Sequence, residues 1–248
     1  MPQIELKQMR AFAEDGYVVI PQVVSPQLIH AARRNIAARV DQAPPPAEHR
    51  GPHFYFLTGE LPPVLLAPFR DSPAMSIAES LIAPARLEAP DHIQISLIIP
   101  PWNHRPGGPH IDGLTPPESD GRPGTFTMLA GILLTDQIGQ NEGNLWVWPG
   151  SHLRAAAYLR ERGPDALLSC IPYPPIELGE SRQVTGRAGD LLLAHYMLGH
   201  NMGRNIGDKV REVLYFRLRR AGHRAHWRES VQEPLLEFDA VRDALSAR

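Results

Sequence analysis

Cysteine is nearly absent from this chain: Cys170 is the only one in 248 residues. A single thiol excludes an intramolecular disulfide framework and any zinc site built from cysteines. In its Leu-Leu-Ser-Cys-Ile-Pro setting, with no activating base close in sequence, Cys170 reads as a small packing residue. An excess of one charge is lacking too. The formal net charge of -2 provides no basic field for nucleic acid or an anionic membrane. No apolar run reaches the length of a transmembrane span, and residues 1–9 carry charges where a signal peptide would have its apolar core. A cytoplasmic protein is therefore expected. Proline, in contrast, is abundant, with 26 residues, which argues against an all-helical chain.

What remains is an ordinary globular composition, 43% hydrophobic and 21% charged. The first 43 residues read as helical with one short break at a strand over 17–20. A helix starts at Ser25-Pro26, a capping hydroxyl followed by proline at the first helical position, and Leu28, Ile29, Ala32, Ile36 and Val40 recur near its period. Residues 42–53 contain Pro-Pro-Pro and Gly-Pro and predict a long irregular loop. A second helix is expected over 73–82.

From about residue 86 the pattern turns to strands. In 92–99, His92, Gln94 and Ser96 alternate with Ile93, Ile95 and Leu97. Further strands are expected within 125–134, 145–148, 182–186, 190–196 and 210–218, separated by glycine-rich turns. An antiparallel sandwich or barrel fits this order. An amphipathic helix over about 228–247 closes what reads as one domain, 1–248, with a helical part over about 1–85 and a β core over about 86–219.

The chemistry concentrates at His110-Ile-Asp112, after a glycine-rich turn. On an extended segment, residues i and i+2 face the same way, so an imidazole and a carboxylate converge. His200, which follows the apolar strand 191–196 and precedes a turn, is the candidate third ligand, with His195 a weaker rival. Two imidazoles and one carboxylate leave three positions open on an octahedral metal, an arrangement suited to iron(II) oxygenases. Eleven residues after His200 stands Arg211, whose fork of donors matches a carboxylate. Alternation in Val-Arg-Glu-Val-Leu-Tyr-Phe-Arg-Leu leaves open whether Arg211 faces the site or solvent.

With these pieces in order, the sequence resembles the phytanoyl-CoA dioxygenase family of 2-oxoglutarate oxygenases. The resemblance rests on His110-Ile-Asp112, on Glu142-Gly143-Asn144-Leu145-Trp-Val-Trp-Pro149-Gly150-Ser151-His152, and on Gly189-Asp190-Leu-Leu-Leu with His200 and Arg211. The opening Phe12-Ala-Glu-Asp-Gly16-Tyr-Val-Val-Ile-Pro21 adds to it, so the likeness covers about residues 8–219. It implies a mainly β protein with flanking helices and a double-stranded β-helix (jelly-roll) core. It also implies iron(II) at His110, Asp112 and His200, 2-oxoglutarate as co-substrate with its distal carboxylate on Arg211, and dioxygen as oxidant. Gln94 and Ser96 are further candidates for co-substrate or substrate contact.

Two positions depart from the family pattern: Met202 stands where a small hydroxyl residue is common, and Asn144 where a glycine is. Asp112 separates the chain from related halogenases, which have a small residue there, and favours hydroxylation or another oxidative outcome such as desaturation or cyclisation. His152 reads as a structural turn residue, and Trp146 and Trp148 as core. Arg50, His53, Phe54 and Tyr55 are candidates for a lid, and residues 105–108 and 114–124 for the pocket wall. No basic cluster suited to coenzyme A phosphates is visible, so the expected partner is a small metabolite or natural-product intermediate. A cupin-like metalloenzyme without 2-oxoglutarate and a non-catalytic binding protein are the alternatives.

Overall fold

Alternation along the strands builds the molecule. In the computed structural model, which describes residues 4–104 and 107–246, nine strands form two antiparallel sheets. The strands are β1 (Tyr17–Ile20), β2 (Gly51–Thr58), β3 (His92–Ile99), β4 (Met128–Leu133), β5 (Leu145–Val147), β6 (Arg182–Gln183), β7 (Leu191–His195), β8 (His200–Met202) and β9 (Arg211–Leu218). The larger sheet has the order β1-β7-β4-β9-β3-β2 and the smaller β6-β5-β8. Together they make the jelly-roll core the sequence led us to expect.

One face of the large sheet carries Ile93, Ile95 and Leu97 from β3 and Leu214, Phe216 and Leu218 from β9. Against it pack α1 (Leu6–Asp15), α2 (Pro26–Gln42), α3 (Pro63–Arg70), α4 (Ala74–Ile82) and α7 (Asp239–Ser246) through Phe12, Ile36, Phe69, Leu81 and Val241. Phe69 stacks on Phe216 with ring centroids 5.1 Å apart. Each such fully buried side chain contributes about 1.5–3 kcal/mol. The other face points into the barrel, where Val213 and Tyr215 meet Leu145 and Val147 of the small sheet. That second core is closed by α5 (Ser151–Arg162) and α6 (His223–Gln232). Because both faces of the large sheet are covered, β4 is buried at every residue.

Helix α2 begins as its sequence dictates, with Ser25 Oγ accepting from the Leu28 N–H at 3.4 Å. Three expectations need correction. The loop over 42–53 ends early: β2 starts at Gly51 and pairs with β3 from Gly51↔Ile99 to Thr58↔His92. The closing helix is two helices, α6 and α7, with Pro234 between them, because proline cannot continue a helical ladder; residues 247–248 lie outside the described residues. His152 lies in the first turn of α5, fully buried, with Nε2 on the Ala13 carbonyl at 3.2 Å. Helices α3 and α5 have no counterpart among the expectations. Among the described residues no helix is long and apolar enough to cross a membrane.

Candidate metal centre and co-substrate pocket

The antiparallel bridge between His110 and His200 sets the site. His110 N–H donates to the His200 carbonyl at 3.0 Å, and His200 N–H returns a longer bond at 3.4 Å. This brings the imidazoles to 4.4 Å between centroids. Three residues after His110 the chain turns at Gly113 (φ +78°), where the Gly124 carbonyl occupies the space a side chain would need. The turn swings Asp112 back toward the histidines. Its Oδ1 lies 3.5 Å from His110 Nε2 and 3.9 Å from His200 Nε2. Among the described residues these three form the one cluster whose ligand atoms, all within 4.8 Å of each other, could hold a metal ion.

The protonation states suit that use. His200 Nδ1 faces the Leu198 carbonyl at 2.9 Å, and a carbonyl only accepts, so the proton sits on Nδ1 and the Nε2 lone pair is free. Burial, then the neighbouring His110, pushes His200 down to about 4, so it is neutral near pH 7. Burial works against ionisation of Asp112, but the hydrogen bond from His110 and the positive charge of Arg217 outweigh it. Its carboxyl is held well below the usual carboxylate range.

Arg211 faces inward, buried at 3% exposure. Its guanidinium donates to Gln137 Oε1 at 3.2 Å, Ser96 Oγ at 3.0 Å and Tyr215 OH at 2.6 Å. All three acceptors are neutral, and no described carboxylate pairs with this cation. Ser96 and Tyr215 also line a cavity of about 140 Å³ that contains His110, Asp112 and His200, together with Gln94 and Met202. A hollow of about 700 Å³ behind Arg211 is larger, but it holds an Arg33–Glu212 ion pair and none of the metal-ligand candidates.

His195 is removed as a rival ligand. Its Nδ1 accepts from the Met197 N–H at 3.0 Å and its Nε2 faces the Pro234 carbonyl at 2.8 Å, so both ring nitrogens are engaged. Asn144 anchors its loop through donation to the Gly139 and Val184 carbonyls, each at 3.0 Å. Of the expected lid, Phe54 lines the cavity. Tyr55, on the opposite face of β2, donates to the Ala43 carbonyl at 2.7 Å, and Arg50 to the carbonyls of Ala47 and His49. None of residues 114–124 lines the cavity. Of the loop 105–108, residues 105 and 106 lie outside the described residues, while the Gly108 carbonyl accepts from Asn201 Nδ2 at 2.7 Å.

The sequence reading passed over Arg217, Tyr215 and Phe56, all of which line the cavity. The signal was there: 211, 213, 215 and 217 share one face of β9 by the period of two.

The family described as phytanoyl-CoA dioxygenase (PhyH) matches residues 12–213 of this sequence. The chain belongs to that family. No curated protein sequence matches it significantly. Among solved structures, the phytanoyl-CoA dioxygenase fold of this chain is shared by the non-haem α-ketoglutarate-dependent carbocyclase SnoK from nogalamycin biosynthesis. That match has TM-score 0.64 and 24% identity, over 87% of this chain and 83% of the other. HygX from Streptomyces hygroscopicus, solved with nickel and 2-oxoglutarate, matches with TM-score 0.56 and 20% identity over 87% and 86%. The epimerase SnoN, solved with Fe3+, α-ketoglutarate and nogalamycin RO, matches with TM-score 0.56 and 18% identity over 86% and 82%. At these identities the likeness establishes the fold, that of iron- and 2-oxoglutarate-dependent enzymes.

Proposed function

We propose that this phytanoyl-CoA dioxygenase family member is an iron(II)- and 2-oxoglutarate-dependent oxygenase acting on a small organic molecule. The observation that carries the reading is Arg211: a buried arginine with only neutral partners, beside a His-Asp-His cluster. Buried charges call for an opposite charge. The distal carboxylate of 2-oxoglutarate supplies one, with Ser96 and Tyr215 at hand to share its oxygens.

The donor set fits iron(II): His110 and His200 offer imidazole nitrogens and Asp112 a carboxylate oxygen on one face, with no sulfur. Bound there, iron(II) supplies the coupling of dioxygen reduction to oxidative decarboxylation of 2-oxoglutarate, giving succinate and carbon dioxide and the power to oxidise a C–H bond. The protein's own residues do the rest. The Leu198 carbonyl orients His200, Arg211 fixes one end of the co-substrate, and Gln94 on β3 offers its amide to the cavity. Phe54, Leu129 and Leu145 give an apolar lining that excludes water.

The finer reading is hydroxylation of an unactivated C–H bond in a metabolite or natural-product intermediate. Asp112 supports it over halogenation, since its carboxylate takes the place a halide would need. Relatives of this fold named as a carbocyclase and an epimerase make ring closure and epimerisation the competing outcomes. The test is to incubate the iron-loaded protein with 2-oxoglutarate under air and measure succinate. Formation that needs iron and falls with Arg211→Ala supports the reading; a folded, iron-loaded protein forming none rejects it.

A further inference from the structure

Among the described residues, Arg217 is the one permanent cation lining the metal cavity. Its position on β9 shares a face with Arg211 and Tyr215, six residues, or about 20 Å of strand, from Arg211. Unlike Arg211, it has no hydrogen bond to a described residue. Its Nη2 is 3.5 Å from Asp112 Oδ2, its guanidinium lies 5.7 Å from the Phe126 ring centroid, and its buried Nε has no partner. Neighbouring Arg219 is different: it is committed to Asp91 at 2.9 Å and the Thr125 carbonyl at 3.3 Å.

Arg217 is also a wall shared by two cavities. On its far side a hollow of about 350 Å³ is lined by Thr58, Gly59, Asp91, His92 and Arg219. His92 Nε2, on that wall, is a second buried polar atom without a partner. Two strands over in the same sheet, Phe54 and Phe56 of β2 also line the metal cavity, ring centroids 5.8 Å apart, and Phe56 is 57% exposed. The 140 Å³ around the ligand cluster is small for a five-carbon dicarboxylate and a second molecule together. A substrate must therefore extend past Arg217.

Charge specifies its chemistry. With iron(II) balanced by the 2-oxoglutarate dianion, Asp112 is left to offset one of the two arginines, and the other remains over. A monoanion completes the balance, while a dianionic phosphate overshoots it.

We propose that Arg217 is the specificity-determining anchor for substrate, reading a carboxylate on a small molecule whose apolar or ring-shaped body lies against Phe54 and Phe56. This rests on the iron and 2-oxoglutarate reading above. The donors of the guanidinium not turned to Asp112 form the fork a carboxylate fits, and a planar cation can serve both carboxylates at once.

The test uses the protein loaded anaerobically with iron(II) and 2-oxoglutarate and follows, by calorimetry, binding of benzoate and cyclohexanecarboxylate, their neutral amides, and phenyl phosphate. Each acid is expected to bind at least about tenfold more tightly than its amide and more tightly than phenyl phosphate. Arg217→Gln is expected to erase that preference by more than it weakens metal binding, and Arg217→Lys to restore part of it. Amides binding as well as acids, no binding by either, or phenyl phosphate binding best overturns the proposal. So does an Arg217→Gln protein that loses iron affinity yet keeps the acid preference, which would make Arg217 a holder of Asp112 alone. The same titrations record iron and 2-oxoglutarate first. Failure of those steps rejects the proposed function; success there with no acid preference rejects only the anchor.

Discussion

Asp112 is held between two kinds of partner: its Oδ1 faces His110 Nε2 at 3.5 Å, while its Oδ2 faces the Arg217 guanidinium at 3.5 Å. One oxygen is thereby presented to the metal position and the other is turned away from it. Replacing the carboxylate removes the only anion of the proposed ligand set. Asp112→Ala is expected to weaken iron(II) binding by on the order of 100-fold or more, measured by competition with a coloured chelator. Metal binding equal to wild type would move the ligand set elsewhere.

Arg211→Ala separates the co-substrate from the metal. The three neutral acceptors around it can rearrange, so the fold is expected to survive, while 2-oxoglutarate loses a charge-assisted pair of about 1.5–3 kcal/mol. Its dissociation constant should rise about 10- to 100-fold with iron affinity little altered. A 2-oxoglutarate affinity that did not move would mean that Arg211 serves the fold alone.

Gly143 presses on the same arginine. Its φ is +80°, and a Cβ there would sit 2.9 Å from the Arg211 Cβ and 3.1 Å from the Ile98 Cβ. Gly143→Ala therefore combines backbone strain with displacement of Arg211, at a cost of about 1–3 kcal/mol in urea unfolding. We expect weaker 2-oxoglutarate binding as well. Stability and affinity both within error of wild type would show that the turn yields without strain.

Acid should destabilise the metal-free protein through its buried histidines. Burial pushes His195 down to about 4 and His152 to about 2, against about 6.5 when unfolded. The unfolded chain takes up protons first, so stability is complete above pH 6.5 and falls with pH toward 4, and further for His152. Each group contributes a slope of about 1.4 kcal/mol per pH unit, or about 2 kcal/mol between pH 6.5 and 5. Urea unfolding at a series of pH values should show a shallower fall for His195→Gln; an unchanged slope would contradict the assignment.

How far the site was legible depended on periodicity. His110 and Asp112 stand two apart beside a glycine turn, and β3 alternates cleanly, so both were readable from residue order. Arg211 was ambiguous because β9 is apolar on both faces, one against helices and one against the small sheet, which blurs inside from outside. Strand β2 was hidden by Gly51-Pro52, read as breakers, although Phe54 and Phe56 alternate with His53 and Tyr55 beyond them. Helix α3 carries prolines at 63 and 68 and is preceded by Pro62, which mask its period. Alternation along β9 puts Arg217 on the face of Arg211, but it gives a side and not a depth, and only the cavity shows that Arg217 lines the site.

The central claim is that His110, Asp112, His200 and Arg211 together bind iron(II) and 2-oxoglutarate. Its most direct test is an anaerobic titration of the metal-free protein with iron(II) and 2-oxoglutarate, watching for the visible charge-transfer band of the chelate. A band in wild type that vanishes in His110→Ala and requires far more 2-oxoglutarate in Arg211→Ala is the predicted result. A folded, iron-loaded wild type with no band at saturating 2-oxoglutarate would contradict the account and favour a metalloenzyme that does not use this co-substrate.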